Sequence, residues 1–569
     1  MTVRLIGLLA LCLVFVSSPA RADDAAADAG TAPPAAAETD KGAAAEPKSP
    51  DFEPLEDRWH ITPPPYDLNV KGHWWDPYNQ NMLKGDYPII GDDIFLKLTG
   101  ISKSVVEGRS APTPSGVSAK SPGSFSFFGQ NDALIYDQKF LGRIELQKGA
   151  TSFKPFEWQA VIEGAVDLNN FDVYENAVSP DVRDGTSRLT NDAALEEASL
   201  EVHLKDLSTN YDFISSKVGR QPFNADFRSL LFTDINQGVR LFGSANGNRY
   251  QYNLIYFYMA EKDTNSGFNT FDLRDQQVAV ANVYVQDFLV LGDTHQFSLS
   301  YDKDNGHQAG FTFDRQGFLV RPDPVGAAQP HNVEVYYLGW TSEGHIGFLN
   351  VSHAFYQALG YDTLNPIAGR GTDIDGQMAF LELSVDRDWM RYQASAFFSS
   401  GDDNPRDRHA HGFDSIMDEP KILGGQISYW NHQSIRIADR GGVALMQPDS
   451  VIPDLRSSKT QGQANFVNPG IAIFNLQASA EVTPQLKLIG NANYLRFVTT
   501  APLELLLKQP NIREDIGFEF GLGLEYRPLL NNNIIVKAFG GFLQPVGGFR
   551  DIFQGSTLYQ GGTALVFVF

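Results

Sequence analysis

Gly561 to Phe569 reads GGTALVFVF, an unbroken β-branched and aromatic run that ends on an aromatic carboxylate. Leu565, Phe567 and Phe569 share one face by the two-residue period of a strand, and Tyr559 continues that face upstream. The opposite face, Ala564, Val566 and Val568, is apolar as well. A strand buried in a soluble sandwich satisfies this pattern. So does the closing strand of a transmembrane barrel, which shows an apolar face to hydrocarbon and an aromatic ring at the interface. The rest of the chain has to decide between them.

Working outward from that end, similar segments recur. In Ile516 to Tyr526, Ile516, Phe518, Phe520, Leu522, Leu524 and Tyr526 alternate with Gly517, Glu519, Gly521, Gly523 and Glu525. Leu200, Val202 and Leu204 alternate with Glu201, His203 and Lys205 in the same way. Further alternation runs through Tyr250 to Tyr258, Gln296 to Tyr301 and Leu476 to Val482. A sandwich also has a polar outer face, so alternation alone does not choose. Aromatic residues make up 12% of the chain, and they cluster near segment ends (Tyr256, Phe257, Tyr258; Tyr336, Tyr337; Phe397, Phe398), where bilayer interfaces place them. No stretch after Ile94 has the length and hydrophobicity of a membrane-spanning helix.

The expected fold class is therefore all-β, a transmembrane antiparallel up-and-down β-barrel over 94–569. About 18 strands are expected, with 16 to 20 defensible, and an even number suits a bacterial single-chain barrel. That leaves roughly 26 residues per strand and its share of loop, against about 9 to 11 that a spanning strand needs. Several loops must be long. Arg109 to Gln130, Ser179 to Asn191, Arg321 to Asn332, Gly401 to Pro420 and Arg440 to Asn468 are expected outside or folded inward. Asp304-Asn305-Gly306 and Asn531 to Asn533 are read as tight hairpin turns.

The N-terminal region reads differently. Met1 to Ala22 has the positive residue, apolar core and A-x-A site of a secretory signal peptide. The only cysteine, Cys12, leaves with it, so the exported chain is expected to carry no disulfide, thiolate metal site or haem attachment. Residues 23–57, rich in Ala, Pro and acids, are expected to form a disordered periplasmic leader. Residues 58–93 contain Trp59, Trp74 and Trp75 and suggest either a plug in the barrel or an interfacial collar.

Two stretches carry a resemblance. The C-terminal Tyr559, Leu565, Phe567 and Phe569 resemble the signal by which Gram-negative outer-membrane barrels are recognised for insertion, which implies the barrel-assembly machinery as a partner. Gly219 to Phe242 (GRQPFNADFRSLLFTDINQGVRLF) resembles the "GRQ... D... GVR" segment of alginate-export-like and other substrate-specific outer-membrane porins. The resemblance implies a strand, an inward-turning loop and a returning strand.

In that segment Arg220, Arg228 and Arg240 are expected to bring fixed charges toward the lumen, with Asp226 and Asp234 balancing them. A salt-bridge network that only fills the barrel accounts for the same residues. By parity, Arg143, Glu145, Glu163, Glu201, His203, Lys205, Glu382, Arg391, Glu519 and Glu525 are further pore-lining candidates. The net charge of -23 favours cations and suits a protein among lipopolysaccharide phosphates bridged by divalent ions, and it gives no reason to expect nucleic acid.

Asp402, Asp403 and Asp407, with His409 and His411, form the one metal-like cluster. It lacks the ordered spacing of a calcium loop, and His409 and His411 are expected on opposite faces of a strand. No cofactor is expected. No nucleophile elbow, H-E-x-x-H or P-loop is present, so an enzyme is not expected. The expected function is an outer-membrane porin or channel for small hydrophilic or charged solutes, either alone or as a homo-oligomer. The alternative is a barrel acting as sheath for a periplasmic partner, in an electron conduit or an export machine.

Overall fold

A computed structural model of the chain describes residues 81–112, 129–149, 155–175, 187–437, 442–553 and 557–569. The expected signal peptide 1–22, the expected leader 23–57 and residues 58–80 of the Trp-rich segment lie outside them.

Eighteen strands form the wall: β1 (Ile94–Ser110), β2 (Gly129–Lys148), β3 (Trp158–Glu175), β4 (Ser187–Asp206), β5 (Phe213–Asn224), β6 (Thr233–Ala245), β7 (Tyr250–Lys262), β8 (Asn269–Gln286), β9 (Asp293–Asp304), β10 (Val333–Ile346), β11 (Leu349–Asn365), β12 (Arg370–Arg387), β13 (Met390–Ser399), β14 (Ile471–Thr483), β15 (Leu486–Phe497), β16 (Asp515–Tyr526), β17 (Ile534–Pro545) and β18 (Leu558–Val568). Each pairs antiparallel with the next, and β18 pairs with β1 from Ile101↔Val568 to Arg109↔Gln560, closing the ring. Closure matters because an open edge would leave backbone donors unpaired.

Below Phe569 the neighbouring place along β1 is taken by the short strand Lys84–Ile90, which pairs with Ile94 to Lys97. Of the Trp-rich segment, then, the part described extends the sheet. Phe569 itself exchanges backbone hydrogen bonds with Gly100 (2.9 and 3.4 Å), and Lys84 Nζ stands 4.9 Å from the centre of its ring.

The outward face is apolar all round. Leu134, Ile144, Ile162, Leu200, Val218, Val239, Leu254, Leu299, Leu338, Leu381, Leu476 and Phe518 are exposed, and Leu522 is 73% exposed. Tyr559 and Phe567 lie on this face too. A soluble sandwich would have placed these side chains in its core. A closed sheet with such a surface has hydrocarbon as its solvent, and that makes the chain a transmembrane barrel.

The two ends of the ring differ. One carries short turns, among them 246–249, 347–348, 388–389 and 484–485. Asn531 to Asn533 lies in such a turn. Asp304-Asn305-Gly306 does not: it opens the long 305–332 connection at the other end, where Asn305 is followed by one helical turn, Gly306–Ala309. The stretches Gly401 to Pro420 and Arg440 to Asn468 belong to one excursion, 400–470, between β13 and β14. Its apolar middle, with Ile422, Leu423, Tyr429 and Trp430, has the composition of a strand but lies inside the ring.

Candidate functional site

Three of the described connections turn into the barrel and bind one another. The short 225–232 loop is held by Asp226, whose carboxylate accepts the backbone N–H of Arg228 (2.9 Å), Leu230 (3.1 Å) and Leu231 (3.0 Å) and the Tyr356 hydroxyl (3.0 Å). It pairs with the 400–470 excursion: Glu419 N donates to Ser229 O and Lys421 N to Arg228 O, both at 3.0 Å. The 305–332 loop joins them where Ser457 N donates to Asp323 (2.8 Å).

These loops cover one side of the inner wall. Inward residues Phe257, Val278, Val280, Tyr337, Tyr356, Met378, Phe380, Phe397, Ile473 and Leu495 pack with Phe413, Leu423, Trp430, Leu445, Leu455 and Phe466 of the excursion in a single buried cluster. No described residue of β1 to β4 belongs to it. Buried with it are Asp414, Asp418, Asp454, Arg456 and Lys459. Arg456 Nε donates to Asp414 (2.6 Å), and Lys459 Nζ is 2.5 Å from Asp418. Burial and the adjacent Asp414 push the Asp454 carboxyl up.

Glycines on the inner wall make room for the excursion. A Cβ added at Gly521 would overlap Ile427 O, one at Gly523 would lie 2.8 Å from Ile427 Cγ2, and one at Gly541 would lie 2.9 Å from Ile427 O. Glu519, in the same row, is fully buried. It accepts from Ser428 Oγ (2.6 Å) and Trp430 N (2.9 Å) and from Asn493. Glu519 therefore clamps the excursion to the wall and does not face open lumen.

The inner face of β1 to β6 is polar: the described loops touch it at Lys139, which donates to Ser266 O (3.1 Å), and at Glu196, which accepts from Asn269 (2.9 Å), and between these contacts it carries a network of charges. Arg143 bonds Glu145 (2.8 Å), Glu163 (3.3 Å) and Glu197 (2.5 Å), Lys97 lies 3.3 Å from Glu145, and Lys217 lies 3.0 Å from Glu197. Glu201 pairs in register with Lys217, and Lys217 with Arg240. Arg240 stacks on Phe242, 4.3 Å from its ring centre, and bonds Asn253 (2.9 Å). The result is a ladder of alternating charge, with Lys97, Arg143, Lys217 and Arg240 against Glu145, Glu163, Glu197 and Glu201.

At the seam between excursion and ladder, His432 Nε2 lies 2.9 Å from Glu107 and its Nδ1 3.8 Å from Asp449. Burial alone would lower the imidazole's proton affinity. The two carboxylates outweigh it and raise the pKa to about 9.

The remaining candidates are placed as follows. Arg228 reaches across the lumen to Glu382 (2.8 Å) and Glu343 (3.0 Å). Arg391 pairs with Asp386 (2.6 Å), His203 with Asp206 (3.0 Å) and Glu525 with Arg527 (2.6 Å), all toward the short-turn end. Arg220 departs from the expectation of a lumen charge. It shares the parity of outward Val218, donates to Leu195 O (2.7 Å) and Thr270 O (2.9 Å), and lies 5.6 Å from the ring of Phe271. Asp234 is bound by Lys262 (2.5 Å).

His409 and His411 also differ from expectation: their rings stack, 6.0 Å apart and 15° from parallel, on one side. Asp402 is buried, and burial lifts its pKa to about 7. Among the described residues no group of three His, Cys, Asp or Glu could hold a metal ion. Sequence reading missed Glu197, Lys217, Glu107 and His432. The first two follow from the same parity that picked out Glu201 and Arg240.

The fold and lumen define a transmembrane β-barrel with an inward-folded excursion and a charged wall. No protein-family model and no curated protein matches the chain. It is similar in fold to OccK9 (OpdG) of Pseudomonas aeruginosa (11% identity, TM-score 0.47, covering 83% of this chain and 98% of that one) and to a BenF-like porin from Pseudomonas fluorescens Pf-5 (9%, 0.47, 83% and 98%). It is similar also to Pseudomonas aeruginosa OccK2 (OpdF), solved in complex with glucuronate (10%, 0.46, 83% and 97%).

Proposed function

We propose that the protein is a channel of the Gram-negative outer membrane through which small hydrophilic or charged solutes pass without a chemical step. The observation that carries this reading is the division of the lumen. Three of the described loops pack on the apolar arc, while the charged network of β1 to β6 keeps solvent-accessible cations, with Lys97 51% and Arg143 24% exposed at their side chains. Charge facing a water-filled lane selects by sign and by width. A sheath for a partner protein would need the space that the excursion fills.

Purified protein in planar bilayers is expected to give steady conductance. Arg143→Gln leaves Glu145, Glu163 and Glu197 less balanced, so the reversal potential in a salt gradient should move toward cation selectivity. A barrel silent in the bilayer, or an Arg143→Gln variant with an unchanged reversal potential, would overturn the proposal.

A further inference from the structure

The short turns Asn246 to Arg249 and Pro484-Gln485 are polar. The turn between β8 and β9, Asp287-Phe288-Leu289-Val290-Leu291-Gly292, is not. Leu289 is 64% and Leu291 61% exposed, and Ile346, Phe348 and Trp389 of the next turns along the wall continue the apolar surface.

This turn does not hang below the barrel. The ring of Phe288 folds back onto the outward wall, 5.1 Å from His295 and 5.4 Å edge-to-face from Phe297. Four of its backbone N–H groups are bonded by the two aspartates that flank it. Asp293 accepts the N–H of Phe288 (2.8 Å), Leu289 (3.1 Å) and Val290 (3.2 Å), and Asp287 accepts that of Gly292 (2.8 Å). His295, covered by Phe288, bonds Asp293 (3.1 Å) and accepts from the Trp340 indole (3.0 Å). Water would satisfy such donors without help, and the hydrocarbon beneath the headgroups would not.

We propose that the 287–292 turn, with Ile346, Phe348 and Trp389, is a ridge inserted into the interfacial layer of the bilayer, anchoring the β8 to β13 side of the barrel there. The occupant is lipid because the ridge is continuous with the outward apolar wall through Phe288 and Phe297. The inference rests on the barrel's place in a bilayer and not on the passage of solutes.

Cys12 is the only cysteine, so a chain refolded from Asp23 onward takes a single environment-sensitive label. Leu291→Cys, Asn248→Cys in a polar turn and Leu338→Cys in mid-wall would each be labelled in phosphatidylethanolamine/phosphatidylglycerol liposomes containing nitroxide lipids. Quenching at 291 is expected to be several-fold stronger than at 248 and greatest with nitroxides near the headgroup. Quenching at 338 with none at 291, and iodide access at 291 equal to that at 248, would overturn the ridge and point to a protein surface. Absence of quenching at both 291 and 338 would overturn the bilayer placement and the ridge with it.

Discussion

Gly521→Ala tests how the excursion is seated. The new methyl would overlap the carbonyl oxygen of Ile427, and both partners are backbone, so neither can rotate aside. If the 424–432 turn shifts but keeps its bonds to Glu519, the cost is overpacking, about 1–3 kcal/mol. If it lifts off, Glu519 also loses Ser428 Oγ and Trp430 N–H. Hydrogen bonds to a charged group are each worth about 1.5–3 kcal/mol, so the total approaches roughly 6 kcal/mol. The wall ladder is untouched. The expected result is a barrel that keeps its folded mobility on a semi-native gel while protease cuts the excursion faster. Gly490→Ala is the control, since it faces outward with its nearest neighbour, Leu522 Cδ2, 3.7 Å away. Equal cleavage of the two variants and the unaltered protein would refute the seating argument.

Two further outcomes follow from the loops. Arg228→Met leaves Glu382 with Gln393 but without its counter-charge, which should lower the thermal unfolding midpoint in detergent by the equivalent of about 1–3 kcal/mol; an unchanged midpoint would show that the pair contributes nothing. His432 binds its proton more tightly in the folded state than its ordinary value of 6.5, at about 9. Its pairing with Asp449 and Glu107 together is therefore fully present below about pH 6.5, is worth about 3 kcal/mol there, and is lost as pH rises through about 9. Protease sensitivity of the excursion should rise across that interval, and His432→Gln should flatten the profile.

The wall was legible in the sequence because each strand between hydrocarbon and lumen must alternate. Leu200, Val202 and Leu204 lie outward as their period requires, and Phe518 to Leu524 do the same. What alternation could not reveal is where the inner face meets protein and where it meets water. Glu519 and Glu201 look alike in sequence, yet one is buried against Ser428 and the other is half-buried in the charged ladder of the wall. Residues 421–437 carry enough apolar side chains to pass for a wall strand, because the excursion builds its own core with the wall. Arg220 follows Gly219, which has φ near 118° and is pressed against the backbone of Ala198 and Ser199. Reading only its charge hides the outward parity that the pairing gives it.

The meeting of Phe569 and the Lys84–Ile90 strand on β1 has a practical bearing. Phe569 and Leu83 bond to successive stretches of the same strand, so the sheet has no free berth beyond the last residue. Any peptide appended there must leave the wall at once or evict the Lys84–Ile90 strand. The seal of the ring is thus shared between the first and last strands described, and fusions are best grafted at the far loops.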